Sequence, residues 1–514
     1  MTYDTAPKVA GRRSLAIWAG VAVLLVAFSY VFTLLLALAC VWLPFLVLST
    51  WPGFNSLVVF LAGIVVSLVI LWSLVPRRDR FPVPGPRLHA AKHPRLFAEL
   101  TKIAEALKEP LPLEVYLLPE MNAWVAERGG IMGFGSRRVM GLGLPLVGIL
   151  TISEFRAVLA HEFGHYYGGD TRLWPWVHKT RAAMARTLMN LGSDSLAEAL
   201  TRIHMARIVH HLAVAALVAY WSLFMRITQA ISRLHEYRAD ELASNLAGTQ
   251  ALIDGLSTIH GASAALPLFW QTEMVPALEA GYRPSLTDGF ARFLTVPGIA
   301  TGVAKHVETE LKEPVTDLYD THPPLRDRIA ALRNSVVCSD TVDLTPAISL
   351  FDMVEEVEVE LLAAISQGLD VPSLRSVSWD QIGPDGYLPA WRALAQECGS
   401  LLENYTVERL PELVARLNEI AQRMRDPKGM LLTREQRTQR AAQLLWRALT
   451  VALCDQGWWL HATPGEFYLE RAGERLAPAA VVTQIRSGAI TANAWTKQCQ
   501  SYGISEVSLM PSAR

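Results

Sequence analysis

The sequence predicts a mainly α-helical integral membrane protein with a small β-sheet, followed by a C-terminal α+β accessory region. Three observations carry that prediction. Half of the 514 residues are hydrophobic and the mean hydropathy is +0.24, high for a water-soluble chain. Two uncharged apolar runs near the N-terminus are each long enough to cross a bilayer. Beyond them helical periodicity dominates, broken by a strand-like and glycine-rich stretch between residues 113 and 143.

The charge balance narrows the partners. With 47 basic and 48 acidic residues the net charge is −1, so no bulk field favours nucleic acid. The expected partners are a lipid bilayer and a polypeptide. Five cysteines are scattered with no C-x-x-C spacing, which fits a reducing compartment rather than a disulfide framework.

The first run, Leu15 to Trp42, is too long for a signal peptide and is not followed by a small-residue cleavage site. The second is Asn55 to Val75, after a turn at Trp51-Pro52-Gly53. Residues 1–80 therefore read as a transmembrane hairpin with spans at about 15–42 and 55–75. Lys8, Arg12 and Arg13 precede it, and Arg77, Arg78 and Arg80 follow it, so both ends are expected in the cytoplasm. Pro82, Pro84 and Pro86 give a stiff exit from the membrane.

Pro94 to Leu107 has the period of an amphipathic helix, and Leu113 to Leu118 that of a strand. Asn122-Ala123-Trp124-Val125-Ala126 follows, then a glycine-rich run with Arg137 to Met140 as a hairpin arm. An exposed strand here can bind a peptide by edge addition, which satisfies substrate backbone groups without reading side chains. That would set the Asn122 amide near a cleaved bond. The tripeptide alone decides little, because Asn493-Ala494-Trp495 repeats it.

The densest chemistry lies at Val158-Leu159-Ala160-His161-Glu162-Phe163-Gly164-His165. His161 and His165 are four apart and share a helix face, so both imidazoles can reach one ion. Glu162 beside them can take a proton from a metal-activated water. This is the H-E-x-x-H pattern of zinc proteases. Thr151 and Glu154 form a capping-box pattern that starts the helix near Ser153, and Gly168-Gly169 offers a stop.

Ile208 to Met225 is a further apolar run, long enough to be a third span. It precedes Ser232 to Asp240, where Glu236 and Asp240 share a helix face. Glu236 as third ligand completes a two-histidine, one-glutamate site with an open position. Asp240, one turn on, can fix the tautomer of a ligating histidine. The three ligands can meet only on one side of the bilayer, which forbids an odd number of crossings between them. A long apolar helix hairpin, over an insert at about 173–228, is the expected solution, with a four-span arrangement as the alternative. His210 and His211 in this insert are expected to be satisfied by neighbouring helices.

The H-E-x-x-H helix ended by Gly-Asp, the later S-R-x-x-E-x-x-A-D stretch and the hydrophobic segment between them resemble the M48 family of zinc metallopeptidases, the group of heat-shock membrane and CAAX prenyl proteases. The resemblance covers roughly Pro94 to Leu332. It implies a gluzincin-like zinc protease domain over residues 81–335 and one Zn2+ per chain. It implies ligands His161, His165 and Glu236, general base Glu162 and supporting Asp240. Asn122, Ala123 and Trp124 match the family's N-A-F-type edge strand, with tryptophan for phenylalanine. Thr321-His322-Pro323-Pro324-Leu325 opens a helix with Thr321 or His322 as its cap. The family's T-H-P-P-L-x-x-R-I stretch implies that His322 and Arg328 stabilise the tetrahedral intermediate.

Residues 336–514 read as a separate accessory region. Glu355, Glu356, Glu358 and Glu360 are expected on one solvated helix face, and Trp458 to Cys499 is vaguely similar to small GYF-like peptide-binding modules. The function expected is a membrane-bound zinc endopeptidase of the bacterial inner membrane, its active site facing the cytoplasm, acting on membrane-associated polypeptides. The rival readings are a membrane-anchored scaffold with a non-catalytic metal site and an exopeptidase trimming short peptides.

Overall fold

A computed structural model describes residues 12–75, 79, 81–130, 135–166, 174–192, 204–313, 322–334, 337, 342–366, 368–424 and 432–511. The chain is mainly helical with small sheets. Lys8, Arg77, Arg78, Arg80, Gly168, Gly169 and Thr321, which carry expectations above, lie outside the described residues. Contacts divide the chain into two compact units. One is Met1–Gly261 with Ala304–Val357; the other is Ala262–Val303 with Glu358–Arg514. The division expected at residue 335 differs from this one: residues 262–303 group with the C-terminal part, and 336–357 with the first unit.

In the first unit, α1 (Arg12–Thr50) and α2 (Phe54–Leu74) are both long and apolar enough to cross a membrane. Their outward leucines and tryptophans, such as Leu24, Leu38 and Trp72, are exposed, as lipid-facing side chains are. The two helices cross closely at Gly63, where a Cβ would meet the carbonyl oxygen of Cys40 at 1.9 Å. Only glycine permits that approach.

A four-stranded sheet has the order β1 (Arg87–Leu88), β2 (Glu114–Leu118), β4 (Arg137–Gly143), β3 (Ala123–Arg128). β2 pairs parallel with β4, and β3 pairs antiparallel with β4, which leaves β3 at the edge. Helix α3 (Pro94–Leu107) buries Leu96, Leu100, Ile103 and Leu107 on one face. Arg156, on α4 (Ile152–Gly164), donates to the buried Glu99 of α3 at 2.5 Å.

α5 (Trp174–Leu191) and α6 (His204–Ala247) run antiparallel. Leu191 packs with Ala213 and Leu217 at one end, and Val177 with Phe224 and Ile231 at the other. Both lie against α1 and α2. α6 is a single helix, so the apolar run 208–225 and the segment with Glu236 are not separate elements. The insert boundary expected at residue 228 falls inside it. Arg207 and Arg226 are about 28 Å apart along its axis, close to the ~30 Å hydrocarbon core. Leu212, Val218 and Leu223 between them are exposed. Arg181 bonds Thr228, Asn190 bonds Ser73, and His210 meets the Leu191 carbonyl at 2.8 Å. These bonds pair some polar groups inside the bundle, while Nδ1 of His210 is buried without a hydrogen-bond partner.

In the second unit, the helices Leu388–Glu397, Arg434–Cys454, Pro478–Ser487 and Ala492–Tyr502 enclose a core with Trp391, Leu444, Leu449 and Trp495. An antiparallel meander of β5 (Trp459–Thr463), β6 (Glu466–Arg471) and β7 (Glu474–Leu476) packs on it. Glu358 departs from expectation. It is buried, not solvated, and accepts hydrogen bonds from Ser285, from the Thr287 hydroxyl and from the Thr287 amide at the start of a helix. An acidic side chain there satisfies amides that have no partner within the helix.

Candidate metal centre and active site

Helix α4 starts where its capping box places it. Thr151 accepts from the Glu154 amide while the Glu154 carboxylate accepts from the Thr151 amide at 2.7 Å. Residues 343–345 reinforce that start: Ile152 donates to the Thr345 carbonyl, and Ser153 bonds Asp343. The helix ends with His165 at its C-cap. It lies against α6 at Gly164, where a Cβ would meet the Cα of Ala239 at 3.1 Å. That close approach brings the two ligand-bearing faces together.

His161, His165 and Glu236 offer ligand atoms that all lie within 4.8 Å of one another. Nε2 of His161 is 3.4 Å from one Glu236 oxygen, and Nε2 of His165 is 3.5 Å from the other. A tetrahedral zinc with ligand bonds of 2.0–2.1 Å needs donors about 3.3 Å apart. Two imidazole nitrogens and a carboxylate at this spacing fit such an ion.

The supporting groups are ordered behind the donors. Nδ1 of His161 meets Asp240 at 2.9 Å, which leaves Nε2 turned toward Glu236. Arg328, on α7 (Leu325–Arg333), is buried and grips Asp240 through Nε at 2.9 Å and through a terminal nitrogen at 2.5 Å. The same nitrogen lies 3.3 Å from Nδ1 of His161. Arg328 was expected at the oxyanion; it is bound instead to the groups behind the ligands. His322 stands more exposed, at 54% for its side chain, with Nδ1 2.9 Å from Glu236. It does not cap its helix, because the cap position is Pro324.

Protonation follows from these contacts. Burial pushes the Glu162 carboxyl up to about 7. Burial and the charge of His161 hold His165 down at about 3. Burial and Arg328 disfavour a proton on His161, but the Asp240 and Glu236 hydrogen bonds outweigh them and lift it to about 9. The hydrogen bond to Glu236 raises His322. Charge pairing with Asp240 outweighs burial and keeps Arg328 charged.

Asn122, Ala123 and Trp124 lie where β3 begins, at the sheet edge, and β3 packs against α4. Sequence reasoning missed Tyr166. Its hydroxyl donates to the Val125 carbonyl of β3 at 2.8 Å. No periodicity announces that contact; its one signal is an aromatic directly after the second histidine.

Residues 90–336 match the model of peptidase family M48. The chain is 28% identical over 221 residues to a protein named Protease HtpX from Pseudomonas putida (strain GB-1), covering 42% of this chain and 65% of that one. It is 28% identical over 225 residues to the protein of that name from Stutzerimonas stutzeri (strain A1501), covering 42% and 66%. The chain thus spans just under two thirds of the length of these relatives. No solved structure matches it.

Proposed function

We propose, for a chain whose residues 90–336 match peptidase family M48, a membrane-bound zinc endopeptidase that cleaves membrane or membrane-proximal polypeptides on the cytoplasmic side. The observation that carries the reading is the convergence of His161, His165 and Glu236 next to the Glu162 carboxylate. Those three side chains would hold the ion, and Asp240 with Arg328 would hold His161 in its ligating orientation. Bound zinc supplies a Lewis acid for the peptide carbonyl and lowers the pKa of water.

Glu162 takes a proton from the attacking water and delivers it to the leaving amine. Burial raises this carboxyl above the usual carboxylate range, which favours its taking up a proton. His322, exposed at the mouth, donates to the developing oxyanion. The edge that begins at Asn122, Ala123 and Trp124 aligns the substrate through Ala123, the one of the three whose backbone groups turn outward. Glu236 lies about 15 Å beyond Arg226 along the axis of α6. That distance supports chemistry outside the hydrocarbon core, on polypeptide segments close to it. The arginines flanking α1 and α2 favour the cytoplasmic side.

Casein cleavage in detergent by the wild type and Glu162→Gln tests this reading. Cleavage by the wild type alone, with equal zinc in both, supports it. Two inert proteins, each with about one zinc per chain, would favour the scaffold.

A further inference from the structure

The edge strand β3 is shorter as a binding surface than its six residues suggest. The Asn122 carbonyl accepts from the Gly143 amide at 2.8 Å, and Asn122 stands one residue before the Ala123–Leu142 pair. By antiparallel alternation Trp124 and Ala126 also turn their backbone groups to β4. Ala123, Val125 and Glu127 turn theirs outward. A peptide laid antiparallel on this edge pairs with these three positions, at every second residue.

Tyr166 already occupies part of that row. Its hydroxyl donates to the Val125 carbonyl at 2.8 Å. The position is built. The guanidinium of Arg138 sits 4.3 Å from the ring centroid of Tyr166. Arg138 is held in turn by Glu109 at 2.9 Å and Glu127 at 3.5 Å. The phenol therefore stands as a fixed stop, one residue after the ligand His165.

We propose that Tyr166 ends the peptide-binding edge and so sets how much of the substrate is held on one side of the cleaved bond. The inference rests on the peptidase reading above. In the antiparallel orientation the N-terminal side of the substrate runs along Val125 and Glu127. Beyond the residue paired with Ala123, that side loses the Val125 carbonyl as acceptor. The substrate class this selects is a polypeptide with few ordered residues before the cleaved bond and an unrestricted length after it.

The test uses the full-length protein in detergent and a series of fluorogenic peptides lengthened by two residues at a time at the N-terminal or the C-terminal side. Wild type should gain nothing in kcat/KM from N-terminal residues past the one beside Ala123. Tyr166→Leu should gain about fivefold from the next two, the worth of one restored hydrogen bond. Tyr166→Phe, which keeps the ring under Arg138 and gives up only the oxygen, should move the same way by less. Peptide affinity on a Glu162→Gln background, read by fluorescence anisotropy, should show the same length dependence. Equal dependence in wild type and both variants, with zinc content and cleavage intact, overturns the inference and leaves the peptidase reading standing. Zinc-loaded wild type that cleaves no peptide at all overturns both.

Discussion

His161–His165 and His210–His211 are both histidine pairs on helices, with ring centroids 4.7 Å and 5.6 Å apart. Their surroundings separate them. His210 lies in the α5–α6 hairpin, where its Nε2 meets the carbonyl of Leu191, and His211 is exposed. His161 is buried against two carboxylates and an arginine, and His165 faces the same glutamate. Residue type and helical placement do not distinguish a candidate ligand from a buried histidine bonded to a backbone carbonyl. The charges facing it do, since buried carboxylates are stable only against cations.

Removing one histidine from each pair is the strongest way to break this contrast. His161→Ala should abolish both stoichiometric zinc and cleavage, measured by metal analysis and peptide hydrolysis. His210→Ala should keep both. A loss of zinc from the hairpin variant would erase the distinction.

Glu162→Gln separates chemistry from ligation within the site. It should lower kcat by about 10²–10⁴-fold, the usual worth of a general base, while metal content stays unchanged. Asp240→Asn probes the support behind the ligands. It should weaken zinc affinity by about 10–100-fold, read by competition with a chelating dye. An unaltered affinity would make the Asp240–His161 contact incidental.

The site was largely legible because its residues obey local rules. The capping box at Thr151 and Glu154 and the four-residue spacing of His161 and His165 both act within one helix. Glu236 is singled out by the H-E-x-x-H motif upstream, and the structure brings it within 4.8 Å of both histidines. What a local pattern does not carry depends on long-range packing. Arg328 is drawn to Asp240, 88 positions away in the chain. Glu358 is buried because Ser285 and Thr287 present a helix start to it. The tripeptide Asn-Ala-Trp shows the same limit. At 122–124 it opens a sheet edge, while at 493–495 it sits in a helix with Trp495 fully buried. Three letters cannot say which packing they will meet.

Proton competition gives a finer test. His161 holds its proton up to about 9, whereas His165 has lost its own above about 3. Between those values zinc must displace one proton, from His161. Affinity should therefore rise about tenfold per pH unit as pH increases and level off near 9. Calorimetry in buffers of different ionisation enthalpy reads the released proton directly. The smallest effect expected is on stability. His210→Ala leaves the Leu191 carbonyl without its partner and should cost about 1 kcal/mol, seen as a modest drop in thermal midpoint in detergent.

The account stands on Glu236 sharing an ion with His161 and His165. Metal analysis of purified wild type and Glu236→Gln measures that most directly. One zinc per chain in the wild type and little or none in the variant is the predicted result. Full zinc retained in Glu236→Gln would contradict it.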